Sequence, residues 1–226
     1  MAHDDHKEGH DHGHHHDHGH DHGHHHGHHD HHPQDHHHHW ESVDYVRSWI
    51  ERDAGRKDER TPIVERLIAA VPFPRDAAIE VVDVGGGSGV LTEAVLKAYP
   101  RSRATLQDFS APMVDAARKR LAGFGDRVRY VISDLSDPAW VKIAGGPFDL
   151  AVSGIAIHNL HEMALIASCY EGVHGLLKPK GAFLDYDHFD RVGGVPLHQH
   201  MLKVAGFASA DVVWHEHPTA VLKAGA

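Results

Sequence analysis

The sequence has a single cysteine, Cys169, so no internal disulfide can form. That excludes a small secreted scaffold held by disulfides. It has no apolar run near the ~18 residues that a membrane helix needs. It has no apolar segment behind a charged N-terminus, so no signal peptide is expected and a cytoplasmic protein is. It also lacks a basic excess: 22 Lys and Arg stand against 32 Asp and Glu, a net charge of −10 with His neutral. The imbalance is local. Residues 1–40 hold eight acids and one lysine, a net of −7, which leaves −3 for the rest. No basic cluster suggests a nucleic-acid footprint. Neither a nucleic acid nor a membrane is expected as a partner. The 226 residues suffice for one sizeable α/β domain with extras.

What is abundant is histidine. Residues 1–39 hold 21 of the 29 histidines, interleaved with Asp and Gly. The densest run contains His10, His12, His14, His15, His16, His18 and His20. Almost nothing apolar lies here, so residues 1–39 are expected to form a disordered tail. Neutral imidazole suits zinc, copper, nickel or cobalt, and the carboxylates add hard donors. Overlapping ligand sets of this kind give several loosely specified, non-catalytic sites for divalent metal. An irregular expression tag and a solvated tail with no dedicated task are the competing readings. With an ordinary His pKa of ~6.5, acidification carries the tail from −7 towards +14 and releases metal.

The chain is organised around Glu80–Leu96. Val81, Val82 and Val84 are β-branched, as in a buried parallel strand. Gly85, Gly86, Gly87 and Gly89 follow where the chain turns sharply. Leu91, Val95 and Ala98 then recur at helical spacing. Strand, glycine turn and helix together make a cofactor cradle, with backbone N–H groups expected to face the ligand. The dinucleotide order G-x-G-x-x-G is absent, because Val90 or Thr92 falls where its third glycine belongs. The spacing present is Asp83-x-Gly85-x-Gly87-x-Gly89.

Upstream, Val43, Val46 and Ile50 form one helical face, and Ile63, Val64, Leu67, Ile68 and Val71 a second. Thr61-Pro62 reads as the second helix's start, and charged Asp53–Arg60 as a linker. These helices make a cap over residues 40–75, before a domain spanning 76–226. Downstream, a second strand ends at Asp108, and Ser110 caps a helix. A third strand ends at Ser133, followed by Asp134-Leu135. The fourth is Phe148–Ser153 and the fifth Ala182–Asp187. A helix over Pro196–Val204 precedes a reversed hairpin, Asp211–Trp214 with Thr219–Leu222.

The Asp83–Gly89 motif, Asp108-Phe-Ser-Ala-Pro-Met113, and Ser153-Gly-Ile-Ala-Ile-His158 resemble the class I S-adenosylmethionine (SAM) dependent methyltransferases of the small-molecule type. The likeness covers roughly Trp40 to the end. Lys180 replaces one glycine of the family's loop before strand five, and the connection Arg191–Val195 is short, so the substrate does not carry over. The resemblance implies an α/β fold: a seven-stranded Rossmann-like sheet, its last hairpin antiparallel, with helices on both faces. It places SAM against Asp83, Gly85, Gly86, Gly87 and Gly89. Asp108, with Phe109 and Met113, would meet the ribose side, and Asp134 and Leu135 the adenine, although Asp134 also suits a helix cap. Ser153 and Gly154 would border the methyl group. Trp40, Tyr45, Asn159, Asp187 and His188 would contact a small-molecule substrate. The family's tetrad for methylating base amino groups is absent after strand four.

Methyl transfer mainly positions donor and acceptor, and in some cases removes a proton. His158 is the candidate base; a structural His at the following helix is the alternative. A homodimer is allowed for. The rival function is a metal-buffering, metal-delivery or SAM-sensing protein with a catalytically silent domain.

Overall fold

A computed structural model describes residues 39–226. Residues 1–38 of the histidine tail lie outside the described residues, including the candidate ligands His10, His12, His14, His15, His16, His18 and His20.

Seven strands form one sheet: β1 (Glu80–Val84), β2 (Arg103–Asp108), β3 (Val128–Ile132), β4 (Phe148–Gly154), β5 (Leu177–Asp187), β6 (Ser209–Glu216) and β7 (Thr219–Gly225). Their order is β3-β2-β1-β4-β5-β7-β6. The first five run parallel, and β7 pairs antiparallel with both β5 and β6. This is the expected sheet with a reversed final hairpin. The helices are α1 (Val43–Gly55), α2 (Lys57–Ala70), α3 (Val90–Ala98), α4 (Ala111–Arg120), α5 (Trp140–Ala144), α6 (Met163–Leu176) and α7 (Val195–Val204).

The central strands are apolar throughout because both faces are covered. Side chains alternate along them, so each strand feeds two cores. Ala151 and Phe183 join Trp140, Ile166 and Tyr170 on one face. Leu150, Val152 and Leu184 join Leu67, Val95 and Leu106 on the other. Burying each large apolar side chain contributes about 1.5–3 kcal/mol. Two cores on one sheet therefore hold its strand ends in fixed positions, and those ends carry the site.

The expected linker Asp53–Arg60 is mostly helix instead. α1 runs to Gly55, α2 begins at Lys57, and Arg56 alone separates them. Lys, Glu and Arg are good helix formers, and Asp58 and Glu59 lie at the favourable end of the helix dipole. Thr61 does not cap this helix. From inside it, the Thr61 hydroxyl donates to the Lys57 carbonyl at 2.7 Å, and Pro62 lies within the helix.

Candidate functional site

β1 and β4 are neighbours, but the chain leaves them for opposite halves of the sheet. Such a divergence opens a crevice at the carboxyl ends of the two strands. A cavity of about 540 Å³ occupies it, roofed by the chain from His39 to Ile63.

The glycine turn forms one wall. Gly85 has φ +65°, and a Cβ there would lie 2.6 Å from the Cβ of Ala156, so only glycine fits. Gly87 has φ +51°; its missing Cβ would meet nothing nearer than Met113 Sδ at 4.0 Å, so it opens onto the cavity. The expectation that glycine N–H groups face a ligand is corrected. Gly85 N donates to Gln107 Oε1 at 3.0 Å and Gly86 N to Gln107 O at 2.8 Å. Gly87 N donates to Asp108 Oδ2 at 2.8 Å and Gly89 N to Gly86 O at 2.9 Å. With all four amides satisfied internally, the turn offers shape rather than an anion nest. A pyrophosphate would need those donors.

Three carboxylates line this end, each just beyond or within its own strand end: Asp83, Asp108 and Asp134. Asp83 Oδ2 accepts from Thr92 N at 3.0 Å and Thr92 Oγ1 at 2.5 Å, while buried Oδ1 has no hydrogen-bond partner. Burial pushes its pKa up to about 7, against the pull of Thr92. Burial likewise raises Asp108 to about 6, opposed by the backbone N–H groups of Ser110, Gly87 and Phe109. Asp134 Oδ1 accepts from Ser136 N at 2.8 Å in a local turn; it does not cap the next helix, whose N-cap is Ala139. Gly86, Phe109, Met113, Leu135 and Gly154 complete the wall.

The other end is built by the segment after β4 and the end of β5. A short 3-10 turn, Ile157–Leu160, points His158 and Asn159 at the cavity. Asp187 is behind them: Oδ2 accepts from His158 N at 3.0 Å and Oδ1 from His188 N at 2.7 Å. His158 Nδ1 is in ion-pair contact with Asp187 Oδ1 at 2.5 Å, though not aligned as a hydrogen bond. A carboxylate on this side favours the tautomer with its proton on Nδ1, which leaves the lone pair on Nε2. The His158 and His188 rings meet edge-on at 5.4 Å. His188 Nδ1 lies 2.8 Å from Thr219 Oγ1. Trp40, Tyr45 and Trp49 pack edge to face over the opening. The Ser110 hydroxyl donates to the Trp40 carbonyl at 2.5 Å and accepts from Met113 N, which ties this roof to α4.

Three expected positions differ. Asp187, expected on the substrate, is buried behind His158 and outside the cavity wall. Ser153 is also outside it, because its hydroxyl donates to the Val84 carbonyl at 2.9 Å and joins β4 to β1. Gly89 is drawn away by packing at the start of α3, where a Cβ would lie 2.8 Å from Leu121. Gln107 was missed altogether. It is fully buried, accepts from Gly85 and donates through Nε2 to the Ser133 carbonyl at 2.5 Å. A glutamine inside an apolar strand was the available signal. Arg56, Trp49 and Arg191 on the wall were also missed.

Outside the cavity, His198, His215 and His217 have partners. Tyr170 OH donates to His198 Nδ1 at 2.7 Å, and His198 Nε2 donates to the Val192 carbonyl at 2.9 Å. His215 Nε2 and His217 Nδ1 both donate to Asp190 Oδ2 at 2.9 Å, which holds that carboxyl below its ordinary pKa. Among the described residues, no group of three or more His, Cys, Asp or Glu is placed to hold a metal ion. No described helix is long and apolar enough to cross a membrane.

The sheet order, the glycine turn and three acids beyond successive strands define a Rossmann-like methyltransferase fold. A sequence-family model described as a methyltransferase domain matches residues 82–183. The chain is 36% identical over 92 residues to the release factor glutamine methyltransferase of Chlorobaculum tepidum, covering 40% of this chain and 31% of that protein. It is 36% identical over 101 residues to the trans-aconitate 2-methyltransferase of Paracidovorax citrulli, covering 45% and 36%. The chain thus spans about a third of the length of these relatives. Among solved structures, an O-methyltransferase family protein from Burkholderia thailandensis superposes with a TM-score of 0.66 at 19% identity, covering 81% of this chain and 59% of that one. Human N-acetylserotonin methyltransferase in complex with SAM gives 0.61 at 16%, covering 82% and 57%.

Proposed function

We propose that the protein is a SAM-dependent methyltransferase acting on a small molecule, with His158 as its base. One observation carries this reading: a single cavity runs from Asp83, Asp108 and Asp134 to the His158–Asp187 pair. The cavity's chemistry fits the donor. The partnerless Asp83 Oδ1 suits an ammonium group, Asp108 a ribose diol and Asp134 an exocyclic amine, with Leu135 against the ring. The space a Cβ at Gly87 would take suits a ligand touching backbone. When bound, SAM supplies an electrophilic methyl carbon whose bond to sulfur breaks, the pair staying on sulfur, as the acceptor's lone pair bonds to it.

The protein's own part is orientation and proton transfer. Trp40, Tyr45 and Trp49 present flat apolar surface to the acceptor and shield it from water. His158 Nε2 takes the proton from the acceptor hydroxyl or amine. Asp187 fixes the ring through two contacts and stabilises the imidazolium that forms. A base of this kind contributes about 10²–10⁴ in rate.

Calorimetric titration with SAM and with its demethylated product, S-adenosylhomocysteine (SAH), followed by a labelled-methyl screen over metabolites, tests the proposal. Binding of neither ligand sinks it, and binding with no transfer to any acceptor favours the catalytically silent reading. Gly85→Ala should weaken SAH binding about tenfold or more without unfolding the domain, because positive φ costs ~1–2 kcal/mol and Ala156 must shift. Unchanged affinity in that variant would place the donor elsewhere.

The composition of residues 1–39 supports a second role, binding of divalent transition metal, in a cytoplasmic protein. Deleting residues 2–39 should then abolish most nickel or zinc uptake in equilibrium dialysis at pH 7.5. Uptake that survives the deletion removes that role.

A further inference from the structure

The acceptor half of the cavity carries two guanidinium groups that its own fold does not use. Arg56 is the single residue between α1 and α2, and Arg191 ends the 3-10 turn Phe189–Arg191. Both line the cavity, and both are near enough to His188 to add to the lowering of its pKa, which burial mainly causes. Among the described residues, neither side chain has a hydrogen-bond or ion-pair partner. The neighbouring charges differ. Arg60 is paired with Asp53. Asp187 is turned into the protein by His158 and His188. Asp190 is taken by His215 and His217. At this end of the cavity that leaves Glu59, exposed on α2, as the acid without an ion pair among the described residues; Asp83, Asp108 and Asp134, also without one, stand at the other end. Two unmatched cations therefore accompany one unmatched anion at the acceptor end.

A guanidinium matches a carboxylate through two parallel hydrogen bonds, which a hydrated ammonium cannot do. Each exposed pair alone is weak. Two arginines closing on one carboxylate beneath an aromatic roof hold it from both sides and exclude some of its water. The proposed base is close in space: His188, which feels the charge of both arginines, meets His158 ring to ring. An acceptor anchored by its acid would present its other end to His158.

We infer that the acceptor is a small carboxylic acid, its carboxylate held between Arg56 and Arg191 while a separate hydroxyl or amine faces His158. This rests on the methyltransferase reading, and names the class of substrate for that site. The arginines are specificity-determining residues, outside the reacting atoms.

The test uses full-length protein saturated with SAH and matched probe pairs, such as 4-hydroxybenzoate against 4-hydroxybenzamide and malate against its diamide. Affinity is read by ligand-observed NMR titration. At least one acid should bind about tenfold or more tightly than its uncharged amide. In Arg56→Gln/Arg191→Gln the preference should fall to about twofold or less, with SAH affinity and melting temperature unchanged. Three results overturn the inference. No acid is preferred; the preference survives in the double variant; or the variant loses SAH affinity, which assigns the arginines to the amino-acid end of the donor. The SAH titration comes first, so failure of wild-type protein to bind SAH is seen separately and rejects the methyltransferase reading itself.

Discussion

His158→Ala is expected to lower kcat by about 10²–10⁴ while leaving SAH affinity within about twofold. The side chain is 14% exposed at one end of the cavity, and the acids Asp83, Asp108 and Asp134, proposed to meet the donor, are at the other. Asp187→Asn tests the same pair from behind. An amide there can still accept from His158 N, but it no longer favours the Nδ1–H tautomer or the imidazolium, so kcat should fall about 10² or more. The split between kcat and SAH affinity is the informative reading. A purely structural His158 would disturb both or neither. A rising limb of the wild-type pH–rate profile that is lost in His158→Ala would identify the base. Full activity in His158→Ala would mean that the acceptor needs no proton removed.

The second large effect is at Asp108. Asp108→Ala removes the acceptor for both Gly87 N and Ser110 N, and a carboxylate from the donor end of the cavity. Charge-assisted hydrogen bonds contribute about 1.5–3 kcal/mol each, so SAH affinity should fall about a hundredfold or more by calorimetry. A loss below threefold would exclude Asp108 from the donor site. The pH dependence has a definite sign. Asp83 and Asp108 bind protons more tightly folded, at about 7 and about 6, than the ~3.9 of an unfolded carboxyl. Between pH 4 and 7 the folded protein therefore holds more protons, and the ligand-free domain loses their contribution to stability as pH rises. If SAH binds as proposed, against the ionised carboxylates, its shift in melting temperature should grow from pH 5.5 to 7.5. A shift that shrinks over that range would show that the acids face the ligand protonated.

Much of the donor end could be read from the sequence because its parts are local. Glycines after β1, Asp108 after β2 and Asp134 after β3 follow from strand–helix alternation, which brings successive strand ends to one edge. The acceptor end depends on what the sheet brings together from far apart. Asp187 reaches His158 only because β4 and β5 pair with Ser153 opposite Asp185 and Gly154 opposite Tyr186. Ser153, one residue before the cavity, spends its hydroxyl on β1. No periodicity announces either. Charged Asp53–Arg60 read as a linker because its apolar face is poor, yet its helical propensity and packing carry α2 through it. That misreading concealed Arg56. Gln107 is not legible from apolar spacing, because its partners, Gly85 and Ser133, come from the turn after β1 and the end of β3.

The closed accounting of the glycine turn has a kinetic consequence. Gly85, Gly86, Gly87 and Gly89 all spend their amides within the protein, so the turn keeps its contour with or without an occupant. Little backbone has to be ordered on binding, and little of that cost is there to tell donor from spent donor. In the proposed pose SAM and SAH would share every group that the turn and the three acids touch. Product would then leave no more readily than substrate, and turnover should slow as SAH accumulates. The working rate would be set in part by whatever removes SAH from around the protein.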